Sequence, residues 1–466
     1  MSLLEMINLS IVIAIGLCLI VRPSLISQWL KPTAVFLIVL ACVQMVMSGY
    51  SWRYLSAYGL IVLITLWAFA VKLLNGNIVP RRILQGVLII VLPMVLLPWA
   101  VFAPVPRLPL PIGSHQLGTR IFRWGDTNRH EEFSNDRLEH RNVIVQAWYP
   151  TEPKTKGRPA VYLDGLAKRP AKLGAIPTQI IDRYDQINTH AIREAPLSRA
   201  EDRWPVVLFL PGNGASRSFY TSLITHIASL GYVVLAIDHP YDAMITQLAN
   251  GTVVTDIEQS LPPDFDRLQF MAHRTQTRIA DVKFVLDELI KRARAAPFFS
   301  QLDVDRIVIA GHSLGGASGA MAMAFDPRIK AAVNIDGTTY GELPEIKSPR
   351  RFMLIESKKD GSDRFMRYEQ GNQKLFHHFL GGVRYELPEA DHFSFTDAPL
   401  FLTFPARSIV SHFFHVGNAP QQTYESTAAI VAAFFSEALD DSKKTDLDSV
   451  AGSYKNIVKK TTPPVE

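Results

Sequence analysis

The sequence predicts an α/β protein, with a mostly parallel sheet covered by helices on both faces, behind an apolar N-terminal region of about four membrane-spanning helices. Three observations predict it. Short β-branched runs alternate with helical stretches from Pro205 onward, the pattern of a parallel sheet whose strands are buried on both faces. A serine flanked by glycines sits where one of those strands gives way to a helix. The first hundred residues carry long apolar runs and few charges, whereas the rest has the mixed composition of a water-facing domain.

The 466 residues suffice for one large domain with an accessory region. Cys18 and Cys42 are the only cysteines, and both fall in apolar runs, so neither a disulfide framework nor a cysteine-based metal site is expected. A net charge of +5, spread along the chain, gives no nucleic-acid footprint.

Four apolar segments open the chain: Ile7 to Val21, Pro32 to Gly49, Tyr54 to Val71 and Ile83 to Phe102. A spanning helix needs ~20 residues, so the first is short and the last comfortable. No Lys or Arg precedes the first run, which argues against a cleaved signal peptide. Arg22, Lys31, Lys72, Arg81 and Arg82 flank the first and third links, against Arg53 and Arg107 at the second link and after the last span. That bias puts the first and third links in the cytoplasm and everything after Phe102 on the extracytoplasmic side. No charge lies inside a span, so the region reads as an anchor rather than a pathway.

The expected organisation is therefore a transmembrane region over 1–103, a Pro-rich linker over 104–117, a catalytic domain over 118–439 and a polar, loosely ordered tail over 440–466. Gly118 to Trp124 and Asn142 to Trp148 alternate as an antiparallel strand pair. Residues from about Leu163 to Asp202 show no period; a surface insertion is the simplest reading and a cap the alternative. Val206 to Leu210 is a strand that runs into Pro211-Gly212-Asn213-Gly214, followed by a helix from Phe219 to Leu230 and a strand from Tyr232 to Ile237. Arg274 to Arg294 is an amphipathic helix with Ile279, Val282, Leu286 and Leu289 on one stripe. Strands follow at Ile307 to Ala310, Ala331 to Ile335 and Phe352 to Ile355, with a helix at Gly315 to Phe325.

The chemistry concentrates at Gly311-His312-Ser313-Leu314-Gly315. A serine on a sharp strand-to-helix turn projects Oγ from the sheet edge, and the helix N-terminus supplies a positive field for an oxyanion. Such a serine needs a base, an orienting acid and oxyanion donors. Of the 13 histidines, His392 follows the last predicted strand, where a loop can carry an imidazole to Ser313. His377 and His378 fall in a helix, His239 lies far upstream, and His312 adjoins the nucleophile and should point elsewhere. For the acid, Asp336, Asp360 and Glu356 all sit at or just after strand ends. The backbone N–H groups of Leu314 and Asn213 are the expected oxyanion donors.

With these motifs in view, the stretch from about Gly118 to Leu439 resembles the platelet-activating-factor acetylhydrolase family of the plasma and type-II kind, calcium-independent serine phospholipases of the α/β-hydrolase superfamily. The resemblance is carried by Val143-Ile144-Val145-Gln146-Ala147-Trp148-Tyr149-Pro150, by Trp204 through Gly214, by Ala228-Ser229-Leu230-Gly231-Tyr232 and Ile237-Asp238-His239, by the elbow through Ala317, by Ala332-Val333-Asn334-Ile335-Asp336, and by the loop bearing His392. It implies an α/β-hydrolase fold, with Ser313 as nucleophile, Asp336 as acid, His392 as base, and Asn213 and Leu314 at the oxyanion hole. Two departures stand out: Pro211-Gly212 replaces the family's His-Gly, and Asn213 replaces an apolar residue, which alters the pocket wall. The membrane segments are foreign to the soluble members.

The expected function is a membrane-anchored serine esterase that cleaves short or oxidised acyl esters of phospholipids through an acyl-enzyme, with neither cofactor nor metal and no nucleic-acid partner. A general carboxylesterase or lipase, and a non-catalytic membrane-bound binding protein, are its rivals.

Overall fold

The computed structural model of the chain describes residues 3–22, 29–48, 54–70, 78–102, 105–168, 172–173, 176–177, 181, 183–359, 363–402, 412–413, 420–440, 442–443 and 445–464. The chain divides into two compact units, Met1–Val105 with Gln179–Ile181, and Pro106–Thr178 with Asp182–Glu466.

The first unit holds four helices, α1 (Leu3–Val21), α2 (Leu30–Ser48), α3 (Leu55–Ala70) and α4 (Ile78–Phe102). Leu19, Leu37, Leu60, Ile64 and Val95 fill its centre, while Phe36, Val46, Leu66 and Ile90 are exposed. These helices are thus apolar outside as well as inside. Four spans were expected, but among the described residues one window, Leu30–Met47, is long and apolar enough to cross a bilayer. Met6–Val21, Leu55–Phe69 and Gln85–Leu96 are apolar yet short of the ~20 residues that a span needs. The described residues therefore do not support a multi-pass region. The link residues Arg53 and Lys72, used above for orientation, lie outside the described residues.

The second unit is built on a ten-stranded sheet. Its strands are β1 (Leu117–His130), β2 (His140–Pro150), β3 (Ala191–Arg193), β4 (Trp204–Leu210), β5 (Val233–Asp238), β6 (Leu302–His312), β7 (Ile329–Ile335), β8 (Arg351–Ser357), β9 (Val383–Leu387) and β10 (Val458–Lys460). Across the sheet the order is β10-β9-β8-β7-β6-β4-β5-β2-β1-β3. The six strands from β9 to β5 run parallel, and β2 returns antiparallel beside β5 and β1.

Alternation on the strands explains why both faces need cover. Val206, Leu208 and Leu210 of β4 enter one core, and Val207 and Phe209 enter the other. The first core is closed by α6 (Arg267–Ala293), α7 (Leu314–Phe325) and α8 (Asp363–His378), and the second by α5 (Thr221–Ser229) and α9 (Pro420–Leu439). Val282, Leu286 and Leu289 of α6 are buried, as the stripe predicts. That helix starts two turns earlier than expected because the Asp266 carboxylate accepts from the Leu268 and Gln269 N–H groups at 3.0 and 3.1 Å.

Two expectations change. The region near Leu163 to Asp202 is not merely appended, because β3 within it pairs parallel with β1 at the sheet edge. The polar stretch after 440 is not a loose tail: α10 (Leu447–Gly452) and β10 close the opposite edge. Sparse anchors fix it, since Ala451 and Ile457 are buried in the second core and Tyr385 donates to Asp448 at 3.0 Å.

Candidate active site

The parallel strands end together, so the segments that leave β4, β6, β7, β8 and β9 gather at one sheet edge. Asn213, Ser313, Asp336, Ser357 and His392 all lie at those exits, and all but the serine closing β8 were expected there. They line one cleft of about 910 Å³, together with Leu314, Met271, Tyr368 and Phe393.

The turn at Ser313 is built from local sterics. Ser313 has φ 56° and ψ −129°, a left-handed conformation that a non-glycine residue holds only where its surroundings enforce it. A Cβ at Gly315 would lie 2.2 Å from the Leu210 carbonyl oxygen, and one at Gly311 would lie 2.6 Å from the Gly315 backbone. Only glycine lets the elbow pass so close to β4. The Ser313 N–H donates to the Ile335 carbonyl at 2.8 Å, which ties the elbow to β7.

Ser313 Oγ lies 3.1 Å from His392 Nε2, and His392 Nδ1 lies 2.7 Å from Asp336 Oδ2. A carboxylate can only accept, so Nδ1 carries the proton and Nε2 is left to accept from the serine. Asp336, also at positive φ (57°), is fully buried. Burial pushes its carboxyl up, but the Lys359 ammonium and the hydrogen bond from His392 outweigh that and hold it well below the usual carboxylate range. Ser357 adds two more donors, its N–H to Oδ1 and its hydroxyl to Oδ2, each at 2.9 Å.

Of the other acid candidates, Glu356 is engaged by Arg384 Nε and Nη2 at 2.8 and 3.0 Å, and Asp360 lies outside the described residues. Among the histidines, His239 is buried against Asp281 at 2.8 Å. His312, expected to point elsewhere, is buried, and its ring centroid lies 4.6 Å from that of His392 with the planes tilted by 40°.

Asn213 follows Gly212 in the turn after β4, facing the elbow. Its side chain is drawn away from the cleft's chemistry: Nδ2 donates to Glu258 at 2.6 Å and Oδ1 accepts from Arg274 at 2.5 Å. Arg278 donates to the Pro211 and Gly212 carbonyls at 2.5 and 3.2 Å and to Asp242 at 2.6 Å. Buried ion pairs from α6 thus fix this turn, and they explain how the polar side chain of Asn213 is accommodated there. Sequence reasoning missed Lys359, Ser357, Arg274 and Arg278. The strand-end position of Ser357 was a usable signal, but nothing local marked the arginines, which reach the turn from a distant helix.

Comparison with known proteins gives a consistent picture. The family model described as platelet-activating factor acetylhydrolase, isoform II, matches residues 107–292, and that of the alpha/beta hydrolase family matches residues 207–445. A probable 1-alkyl-2-acetylglycerophosphocholine esterase of Arthroderma benhamiae is 33% identical over 138 residues, covering 30% of this chain and 32% of that protein. The platelet-activating factor acetylhydrolase of Canis lupus familiaris is 23% identical over 258 residues, covering 49% of this chain and 55% of its own length. The chain therefore spans about a third of the first relative and just over half of the second. A ferulic acid esterase from Streptomyces cinnamoneus shares the fold, with a TM-score of 0.61 at 24% identity, over 77% of this chain and 100% of its own.

Proposed function

From the premise that the chain belongs to the alpha/beta hydrolase family, we propose that it is a serine hydrolase of carboxylic esters, with Ser313 as nucleophile, His392 as base and Asp336 as acid. The observation that carries the reading is the continuous hydrogen-bonded line from Ser313 Oγ through His392 to Asp336, opening on a cleft. In this mechanism Ser313 Oγ attacks the acyl carbon while its proton passes to His392 Nε2. The oxyanion forms between the N–H groups of Asn213 and Leu314, the second at the N-terminus of α7. The imidazolium then gives its proton to the departing alkoxide, and the alcohol leaves. Water, deprotonated by the same histidine, attacks the acyl-enzyme and releases the carboxylic acid. Asp336 keeps the proton on Nδ1 throughout. No step calls on a metal or organic cofactor.

For substrate we propose a phospholipid with a short or oxidised acyl chain. Arg267, Lys358 and Arg367 line the cleft beside Met271, Phe365 and Phe393, which offers cations to a phosphate and apolar surface to an acyl group. The names of the acetylhydrolase relatives point the same way. A general carboxylesterase is the second reading, favoured by the altered Pro211-Gly212-Asn213 turn. We further propose that the N-terminal helices anchor the enzyme in a membrane, with the catalytic unit on the extracytoplasmic side. The exposed apolar faces of those helices support the anchor, because a helix apolar all round needs protein or lipid about it.

Turnover of a short-chain aryl ester and a short-acyl phosphatidylcholine, in detergent, tests the reading. Ser313→Ala should lower kcat on both by a factor on the order of 10⁶. Cleavage of the aryl ester alone by the wild type would favour the general esterase. Turnover of neither would return the protein to the binding class.

A further inference from the structure

A second line of hydrogen bonds runs behind the first and uses none of its side chains. The Gly212 N lies 2.9 Å from Tyr220 Oη, Tyr220 Oη lies 2.9 Å from His312 Nδ1, and His312 Nε2 lies 2.8 Å from the His392 carbonyl oxygen. The direction of every bond follows from its ends. The His392 carbonyl can only accept, so His312 Nε2 carries a proton. The Gly212 N–H can only donate, so Tyr220 Oη accepts from it and gives its own hydrogen to His312 Nδ1. One neutral tautomer of His312 satisfies all four groups. An imidazolium would present a second donor to a hydroxyl that could then no longer donate in return.

The environment agrees. Tyr220 and His312 are almost wholly buried, at 1% and 2% exposure. Burial, and then the neighbouring His392, drive the His312 imidazole well below its ordinary pKa, so it stays neutral. Both ends of the line meet the proposed machinery. Gly212 precedes Asn213, the proposed oxyanion donor, and the Gly212 carbonyl is already held by Arg278. The far end grips the backbone of the residue proposed as base, at the start of the 3₁₀ turn His392–Phe395.

We infer that Tyr220 and His312 are positioning residues, which couple the oxyanion turn to the backbone of the general base so that both keep one spacing about Ser313. This rests on the ester-hydrolase reading of the site. It gives the variable residue of the elbow a task that the nucleophile motif does not specify. The physical reason is tolerance: a misplacement of ~1 Å at a reacting centre can cost about 10²-fold in rate.

The test compares Tyr220→Phe, His312→Phe, His312→Gln and the Tyr220→Phe/His312→Phe double variant. Active sites are counted with a fluorophosphonate, so that lost folding is not read as lost rate. Each phenylalanine variant should lower kcat per site by about 10- to 100-fold and leave KM for an aryl ester within about twofold. His312→Gln, whose amide can still donate to the His392 carbonyl, should recover about fivefold or more over His312→Phe. The double variant should be no worse than the poorer single one, because either change breaks the same line. Unchanged kcat per site in both singles, or losses that multiply in the double variant, would overturn the inference.

Hydrogen exchange read by mass spectrometry decides the coupling without turnover. Tyr220→Phe should speed exchange both in the peptide containing Gly212 and in the one containing His392. Acceleration confined to the first would refute the link, whereas a wild type that cleaves no ester would sink the reading of the site and leave this result standing.

Discussion

At Asp336 one buried carboxylate collects donors from Ser357, Lys359 and His392, and that crowding explains why a charge is tolerated there. Lys359 is the unusual member. Its ammonium bonds Asp336, lies 3.0 Å from Ser357 Oγ and sits 4.3 Å above the ring of Tyr368. Because the Asp336 carboxyl is held below its ordinary range, the stability it contributes is fully present above pH ~4 and is lost as pH falls toward its folded value. Lys359→Met should therefore cost about 1.5–3 kcal/mol at neutral pH. The gap to wild type should narrow below pH ~4, measured as denaturant midpoints at pH 7 and pH 3. A gap that is constant with pH would show that Lys359 acts through packing alone. Ser313 and His392 were legible in the sequence because glycine spacing and strand-end position are local signals. Lys359 was not, since two lysines after a strand read as a solvated loop until Asp336 is placed beside them.

Among the elements, the segment after His392 is joined to α5 and to Tyr162, just ahead of the insertion, through Asp397. This buried carboxylate accepts from Tyr162 Oη at 2.9 Å and from the Ser222 N–H at 3.2 Å, with no cation among those partners. Burial pushes its carboxyl up to about 7, against the hydrogen bonds that pull it down. An acid raised in this way binds its proton more tightly folded than unfolded, so its ionisation destabilises the fold as pH climbs from about 4 to about 7. Asp397→Asn should accordingly gain on wild type in Tm between pH 5 and pH 8; a constant or shrinking difference would contradict it. The main-sheet strands other than β9 were readable from β-branched runs, and α6 from its stripe; β9 was not, because Arg384 and Glu386 interrupt its apolar residues. Neither β3 nor β10 was, because each is three residues long and takes its partner from a distant strand. Edge pairing of that kind is decided by tertiary context, which local pattern does not carry.

On the scale of the whole molecule, two units of different chemistry share one chain. The larger unit buries its apolar surface in two cores on either side of a sheet, and the N-terminal unit keeps much of its own facing outward. The boundary between them was plain in the sequence because composition changes abruptly near Phe102. The number of spanning helices was not, since apolar runs of 15 to 20 residues lie at the limit where a span and a buried helix look alike. Family membership fixes the fold and narrows the chemistry, but the same fold serves many substrates, so the proposal rests on the site. The most direct test is covalent. Carbonate-washed membranes from cells producing the full chain are treated with a fluorophosphonate, and the adduct is mapped by peptide mass spectrometry. The account predicts a stoichiometric adduct on Ser313, retained in the membrane pellet and abolished in His392→Ala. A wild-type protein that is folded yet unlabelled at Ser313, or labelled at another serine, would contradict it.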